Sequence, residues 1–336
     1  MISVLIPVRD GGGALGRCLE TIDAQRIDAD VEVIVIDSGS TDDTVAVAER
    51  HGARVHTIAA EDFHHGATRN LAVGLARGDI VVWTTHDAYP DSTDWLDLLT
   101  APLRSGESGV AGVYGRQLAH HDATPPERYF LDFLYGPESR LQRAASVEQL
   151  TMETTLFSNA NSAMPRQLLL NEPFAEDVLI AEDQDWSRRM LLDGHAIRYE
   201  ARAAVRHSHA YTLFTGFRRF FESGVAGSRT FLAAGAPAQQ VLWRKGLDYA
   251  RGELRWLVRT GNARWIPYTC LYEGLKFAGI QLGARHERLP LWLKTRWTRY
   301  PGWFTGEDGA GAPPASRGPR RSSRRAGRTP GEDGSR

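Results

Sequence analysis

The sequence predicts an α/β protein with a mostly parallel central sheet flanked by helices. Two strand–turn–helix units follow one another at the N-terminus, with strands at Ser3–Val8 and Val31–Ile36. Both strands are apolar at nearly every position, as expected for strands buried on two faces. A crossover helix between two such strands makes them parallel, which favours an open α/β sheet.

The same alternation predicts the elements that follow. Further strands are expected at Ala53–Ile58, Asp79–Thr84, Gly109–Gln117 and Ala196–Val205, a strand and turn within Met152–Met164, and helices at Ala14–Ala24, Ala67–Ala76, Trp95–Leu103 and Glu182–Asp193. The stretch His120–Val147 contains several prolines, so we expect an irregular, mobile insertion near the site.

A C-terminal helical extension is expected beyond the sheet. We divide the chain into a main domain at residues 1–212, an amphipathic helical region at 213–304 and a disordered Gly-, Pro-, Ser- and Arg-rich tail at 305–336. The middle region is rich in tryptophan and arginine. Such helices lie at a membrane surface, or their aromatics pack on the main domain, and the sequence leaves both interpretations open.

Composition excludes several classes of protein. The chain has 336 residues and a formal net charge of −1, which does not suggest a nucleic-acid binder. Cys18 and Cys270 stand far apart in apolar contexts and are expected to be buried thiols. No apolar run approaches the ~20 residues that span a bilayer, and no signal peptide is visible, so we expect a cytoplasmic protein.

Asp37 ends the second strand and is followed by the small polar turn Ser38–Ser40. Open α/β sheets bind ligands at the carboxyl ends of their strands, which makes Asp37 a candidate ligand contact. A solvated acid at a strand–helix corner is the simpler alternative. The glycines Gly11–Gly13 lack the spacing of a dinucleotide fingerprint, and no P-loop lysine is present.

Four further segments carry polar residues suited to chemistry. Asp87 follows a buried strand and can hold a divalent cation against a diphosphate, or it can cap a turn. Arg69 stands in the first turn of a helix beside His65, an arrangement that favours phosphate groups. Asp183, next to Glu182, can act as a general base, although acidic residues also complement a helix N-terminus.

The remaining segment is His207–His209, in which the two histidines alternate. An extended backbone points them to opposite faces, so only one of them is expected to reach a metal with Asp87. A structural histidine is the alternative. Trp186, one turn after Asp183, is a candidate for stacking on a sugar.

In their order along the chain, IPVRD, VIVIDSGSTDDT, the Asp87 segment, EDQDW and the late histidines resemble the inverting GT-A glycosyltransferases of family 2. The resemblance covers roughly Met1 to Phe221. The segments FHHGATRN, THDAYP, FSNANSAMPR and HSHAYT look like the rhamnosyltransferase branch, and so does GIQLGARHERLPLWL near the C-terminus. That branch transfers L-rhamnose from a dTDP-linked donor in the synthesis of bacterial surface polysaccharide.

The resemblance implies a Rossmann-like GT-A fold and a role for each matching residue. It implies nucleotide binding by Pro7, Val8, Arg9, Asp10, Asp37, Ser38, His65, Arg69, His86 and Asp87, a general base at Asp183, metal binding by Asp87 with His207 or His209, and an acceptor site near Asn159, Asn161, Glu182 and Trp186. The implied cofactor is Mg²⁺ or Mn²⁺ bound with the donor diphosphate. The implied acceptor is a glycan or a lipid-linked glycan, reached at the inner face of the cell membrane.

The sequence departs from the family at one position. Thr85 stands where the Asp-x-Asp motif has its first acid, and His86 occupies the middle. A single carboxylate with one imidazole is a weak divalent-metal site, so we expect the metal to bind well only with the sugar nucleotide. The alternatives are a transferase of another nucleotide sugar such as UDP-galactofuranose, a nucleotidyltransferase, and a catalytically weak sugar-nucleotide-binding scaffold.

Overall fold

The structure is a computed structural model that describes residues 1–228 and 236–306, with side chains described outside 229–243. Within these residues nine strands form one sheet. They are β1 (Ile2–Val8), β2 (Val31–Asp37), β3 (Arg54–Thr57), β4 (Ile80–Thr84), β5 (Tyr89–Pro90), β6 (Val110–Leu118), β7 (Arg140–Gln142), β8 (Asn161–Pro165) and β9 (Ala196–Arg206). The described helices are α1 (Gly12–Asp23), α2 (Thr44–Arg50), α3 (His65–Leu75), α4 (Trp95–Arg104), α5 (Pro125–Leu134), α6 (Arg166–Asn171), α7 (Glu182–Leu192), α8 (Leu213–Gly227), α9 (Ala236–Arg259), α10 (Ile266–Ala284), α11 (Leu291–Trp297) and α12 (Pro301–Thr305).

The strand order is β3-β2-β1-β4-β8-β6-β9-β5, with β7 paired to β9. Strands β3, β2, β1 and β4 are parallel neighbours, and β6 is parallel to β9. The antiparallel strand β8 lies between β4 and β6 and makes the sheet mixed. The predicted N-terminal βαβ crossover is confirmed, because β1 and β2 are parallel with α1 between them. Since β4 is also parallel to β1, the carboxyl ends of β1, β2 and β4 lie at one edge.

Two apolar layers cover the faces of the sheet. Leu5, Trp83 and Tyr114 belong to one buried cluster, and Val4, Val82 and Leu15 belong to the other. The strands β1 and β4 contribute to both clusters, which explains why their sequences are apolar at consecutive positions. Polar residues follow directly after these strands, with Arg9 after β1 and His86 and Asp87 after β4.

Two expectations about local structure are wrong. The stretch His120–Val147 is not irregular throughout, because it contains α5 and β7. Pro125 and Pro126 stand at the start of α5, where proline fits the first turn. Cys18 is buried as expected, but Cys270 is exposed. Helix α2 begins at Thr44, whose amide donates to the Asp42 carboxylate at 3.0 Å.

The C-terminal helices pack on the main domain through aromatic residues. Phe220 of α8 meets Phe130 of α5 edge to face, and Tyr249 of α9 contacts Phe133. Glycines let α8 and α10 approach closely, since a side chain at Gly224 or Gly283 would meet the backbone of the other helix. No described helix has the length and apolarity to cross a bilayer. The predicted disorder of the tail concerns residues that lie almost entirely outside the described range.

Candidate active site

A cavity of about 1630 Å³ opens at the sheet edge where the parallel strands end. Its wall combines the end of β1, the loop after β4, the starts of α3 and α7, and side chains of α5, α8, α9 and α10. The predicted site residues that line it are Pro7, Val8, Arg9, Ser38, His65, Arg69, His86, Asp87, Asn159, Glu182, Asp183, His207 and His209. Segments far apart in the sequence thus share one space.

Two predicted nucleotide contacts, Asp10 and Asp37, do not line the cavity and instead shape its loops. Asp37 is buried, and its carboxylate accepts from the Ser40 amide at 3.2 Å. Asp10 has a left-handed backbone (φ 48°) and its carboxylate accepts from the Thr41 amide at 2.8 Å. Both acids therefore hold the turns beside Arg9 and Ser38, which face the cavity.

Asp87 and the two late histidines form one cluster. Their ligand atoms all lie within 4.8 Å of one another. His207 Nε2 and His209 Nδ1 each lie 3.7 Å from a carboxylate oxygen of Asp87. The expectation that only one histidine reaches Asp87 is wrong, because β9 ends at Arg206 and the chain beyond it leaves the alternating geometry of a strand.

Electrostatics keep this cluster in the protonation state that a cation needs. Burial lowers the pKa of His207 to about 4, so the ring is neutral near neutral pH. Burial raises the pKa of Asp87, but the neighbouring imidazoles of His207 and His86 lower it by more. The pKa of Asp87 therefore falls below its usual value. A carboxylate and two neutral imidazoles are a donor set that suits a transition-metal ion such as Mn²⁺.

Gln117 orients this cluster and was missed from the sequence. Its Oε1 lies 2.8 Å from His207 Nδ1, which leaves Nε2 facing Asp87. Its Nε2 donates to Tyr135 Oη at 2.8 Å and to Ser158 Oγ at 2.9 Å, so the amide cannot turn freely. Gln117 ends an ordinary buried strand, and nothing in its local sequence distinguishes it.

Asp183 stands in the first turn of α7, directly after a backbone distortion at Ala181 (φ 64°). Its carboxylate accepts from the amides of Asn159 at 3.0 Å and Gln184 at 2.8 Å. Burial and the adjacent charge of Glu182 raise the pKa of Asp183 to about 6. A fixed carboxylate with this pKa has the properties of a general base near neutral pH.

Glu182 faces a different partner. Its Oε1 lies 3.1 Å from Arg69 NH1 and accepts from Asn159 Nδ2 at 3.3 Å. Both side chains of the ion pair are less than a tenth exposed. Burial raises the pKa of Glu182, but Arg69 and His65 together lower it by more. The pKa therefore falls below its usual value, and the acid stays charged. Arg69 also donates to the His65 carbonyl at 3.1 Å.

Two predicted acceptor contacts, Trp186 and Asn161, lie in the core instead. Trp186 is fully buried against Phe157 and Phe174, so neither face of its ring is open to a sugar. Asn161 is also fully buried, where it accepts from Trp95 Nε1 and donates to the Ala203 carbonyl. Both residues are needed for packing and polar satisfaction, which corrects the expectation for them.

Three further residues reach the cavity without having been predicted as site residues. Tyr135 follows α5, Arg219 belongs to α8, and Tyr300 comes from the segment between α11 and α12. Only Arg219 left a trace in the sequence, as one of the arginines among the aromatics of the extension. Arg219 and Tyr300 reach the cavity because the extension folds back over the sheet edge.

The mixed sheet and its flanking helices match the GT-A fold of solved glycosyltransferases. The mannosyltransferase PcManGT from Pyrobaculum calidifontis, solved with GDP-Man and Mn²⁺, superposes with a TM-score of 0.57 at 18% identity, over 85% of this chain and 88% of that one. Residues 1–349 of TarS from S. aureus superpose with a TM-score of 0.50 at 17% identity, over 85% and 91%. These likenesses establish the fold.

Sequence comparison gives the family. The model of glycosyl transferase family 2 matches residues 3–169. O-antigen chain rhamnosyltransferase RfbN of Salmonella typhimurium is 33% identical over 299 residues, which is 86% of this chain and 91% of that protein. O-antigen chain rhamnosyltransferase WbaN of Salmonella anatum is 34% identical over 268 residues, 77% and 82%. The chain belongs to glycosyl transferase family 2 and is a glycosyltransferase.

Proposed function

We propose that this enzyme transfers L-rhamnose from dTDP-L-rhamnose, with inversion, to a hydroxyl of a glycan or lipid-linked acceptor of a bacterial surface polysaccharide. The observation that carries the proposal is the similarity to RfbN and WbaN, which covers most of this chain and most of both relatives. The similarity to RfbN over 86% of the chain extends beyond the part that the family model matches. The proposal therefore draws on the extension as well as on the sheet.

The geometry around Asp183 supports a single displacement. The acceptor oxygen attacks the anomeric carbon, the bond from that carbon to the diphosphate oxygen breaks, and Asp183 takes the acceptor proton. The two amides that Asp183 accepts from fix its carboxylate at the cavity wall. Because its pKa is about 6, most of this acid is ionised at neutral pH and ready to take the proton.

Asp87, His207 and His209 would hold a divalent cation, Mg²⁺ or Mn²⁺. The donor atoms fit such an ion, because they lie within 4.8 Å of one another and Gln117 presets the ring of His207. When bound, the ion supplies positive charge for the departing diphosphate. The imidazoles of His207 and His209 would replace the first acid of the Asp-x-Asp motif, at whose position this chain has Thr85.

The loops after β1 and β2 are proposed to hold the nucleotide. Arg9 and Ser38 face the cavity, while Asp10 and Asp37 brace their turns from behind. Replacing Asp37 with Ala should weaken donor binding about tenfold and change kcat for bound donor much less, because it loosens a turn rather than the reacting centre. Titration calorimetry with dTDP, with Asp43→Ala as the control, measures the effect. Equal losses in binding and kcat would contradict this role.

A screen of sugar nucleotides tests the donor. We expect hydrolysis without acceptor to be fastest with dTDP-L-rhamnose, and slower with UDP-galactofuranose and GDP-mannose, in the presence of Mn²⁺. The Asp183→Asn variant controls for contaminating hydrolases. A clear preference for a UDP-linked sugar would replace rhamnose in the proposal, and binding of every donor without turnover would contradict transferase activity in this chain.

We also propose peripheral contact with the inner face of the cell membrane. Helix α11 exposes Leu291 and 65% of Trp292, and Lys294 and Arg296 stand in its last turn. An apolar surface beside basic residues suits an anionic bilayer. Flotation with anionic liposomes should recover the wild type, and Trp292→Ser should reduce recovery. A wild-type chain that stays in the soluble fraction at low salt contradicts the contact.

A further inference from the structure

We propose that Tyr300, in the C-terminal extension, is a positioning residue of the catalytic centre, which acts through His65 to hold Arg69 against Glu182. The inference goes beyond the proposed function by assigning to the extension a part in the reaction itself. It rests on the proposed role of Asp183 as the base.

The contacts form a continuous chain from the extension to the helix that carries Asp183. Tyr300 Oη lies 2.9 Å from His65 Nε2. Arg69 NH1 lies 3.4 Å from His65 Nδ1 and 3.1 Å from Glu182 Oε1. Glu182 directly precedes Asp183, and Asn159 bonds to both acids, through its side chain to Glu182 and through its amide to Asp183.

Arginine fixes the direction of these hydrogen bonds. A guanidinium only donates, so His65 Nδ1 accepts from Arg69 and the ring proton lies on Nε2. Burial lowers the pKa of His65 to about 3, so the ring does not take a second proton. Nε2–H therefore donates to Tyr300 Oη, and removing that oxygen leaves a buried donor without its acceptor.

Tyr300 is itself held rigidly to α8. Its amide donates to Thr298 Oγ1 at 3.0 Å, and that hydroxyl donates to Glu222 Oε1 at 3.2 Å. Glu222 is fully buried, and both of its carboxylate oxygens accept hydrogen bonds from Arg299. The Arg299 amide donates to Oε1 at 2.6 Å, and Arg299 NH2 donates to Oε2 at 2.6 Å. A buried acid satisfied in this way fixes the backbone on both sides of Arg299.

The charge of Arg69 acts on the acid pair. Charged and titratable groups from several elements surround Asp183: Glu182 on α7, His65 and Arg69 on α3, Tyr135 after α5, Arg219 on α8 and Tyr300 before α12. Arg69 is the one whose position depends on the Tyr300–His65 bond. If Arg69 moves away, the carboxylate pair retains its proton to a higher pH, and the base is less available near neutrality.

The test is the pH profile of Tyr300→Phe in the full-length enzyme. We expect kcat/KM for transfer to fall about tenfold near pH 6 and to recover to within about threefold of wild type near pH 8.5, because higher pH restores the ionised base. The acid limb of the profile should move to higher pH. A uniform loss at every pH, or no loss, would overturn the proposal.

Two controls separate positioning from folding. Tyr268→Phe removes a hydroxyl elsewhere in the extension, one that donates to the Tyr211 carbonyl at 3.4 Å, and should leave the profile unchanged. In a double-mutant cycle, Tyr300→Phe should have little further effect once His65 is replaced with Asn. Full additivity would show that Tyr300 does not act through His65.

The outcome is separable from the donor assignment. If dTDP-L-rhamnose is not turned over, the proposed donor fails, and the profiles are measured with the sugar nucleotide that is turned over. The Tyr300 inference then fails if its own variant leaves the acid limb of that reaction in place, or if its effect is fully additive with that of the His65 variant.

Discussion

The cluster around Asp87 and the cluster around Asp183 contain similar residue types but have opposite electrostatics. At Asp87, neighbouring imidazoles outweigh burial and lower the pKa of the carboxyl. At Asp183, burial and the charge of Glu182 raise the pKa to about 6, although Arg69 lies close by. Arg69 pairs with Glu182 at 3.1 Å, so much of its charge is offset there.

This contrast supports the two roles proposed for the acids of this cavity. An acid that holds a cation must stay ionised, whereas a base must exchange a proton near the working pH. The surroundings of Asp87 and Asp183 move their pKa values apart, as the two proposed roles require. The following four variants test this assignment, beginning with the largest expected effect.

Asp183→Asn should reduce kcat for transfer about 10³-fold, because the amide cannot accept the acceptor proton. Donor affinity, measured by calorimetry with dTDP, should change less than about threefold. Asp185→Asn is the matched control, since Asp185 pairs with Arg189 outside the cavity. Near-normal turnover in Asp183→Asn would place the base elsewhere.

Asp87→Asn should weaken Mn²⁺ binding in the presence of dTDP about 100-fold. Removing a residue that only supports a metal ligand commonly lowers affinity about 10- to 100-fold, and Asp87 is proposed to be a ligand itself. Manganese electron paramagnetic resonance measures the free ion. Asp91→Asn removes a nearby acid that pairs with Arg206, and it should leave Mn²⁺ binding unchanged. Unaltered binding in Asp87→Asn would separate this cluster from the metal.

Gln117→Leu should weaken Mn²⁺ binding about tenfold without removing a ligand, because the ring of His207 loses the acceptor that orients it. Gln167→Leu serves as the control, because its side chain donates to Asn171 Oδ1 on the surface, away from the cavity. If Gln117→Leu binds Mn²⁺ like wild type, the orientation of His207 is set by other contacts.

Glu182→Gln gives the smallest expected effect, a shift in pH dependence. The negative charge of Glu182 raises the pKa of Asp183, so its removal lowers that pKa and Asp183 stays ionised to lower pH. The acid limb of kcat/KM should move down by about one pH unit. Glu172→Gln, which affects an exposed pair with Arg189, should not move it. A shift to higher pH would contradict the comparison.

Much of the sheet was predictable because strand periodicity and strand–turn–helix order are local properties. The predictions for β1, β2, β4 and α7 are confirmed within a residue or two. Helix α5 was missed because its prolines, which normally argue against a helix, stand in the first turn. Trp186 was misassigned because its position in the sequence, three residues after Asp183, does not show whether the ring faces the cavity or the core.

The fold class, the family resemblance and the candidates Asp87 and Asp183 follow from the sequence alone, since each depends on short motifs in a fixed order. The tertiary structure was needed to show that His207 and His209 both lie beside Asp87, that Asp37 and Asp10 brace turns, and that Gln117 and Tyr300 line the cavity. These features arise from contacts between segments far apart in the chain. The pKa of a carboxyl depends on such neighbours and on burial, which a linear pattern does not encode.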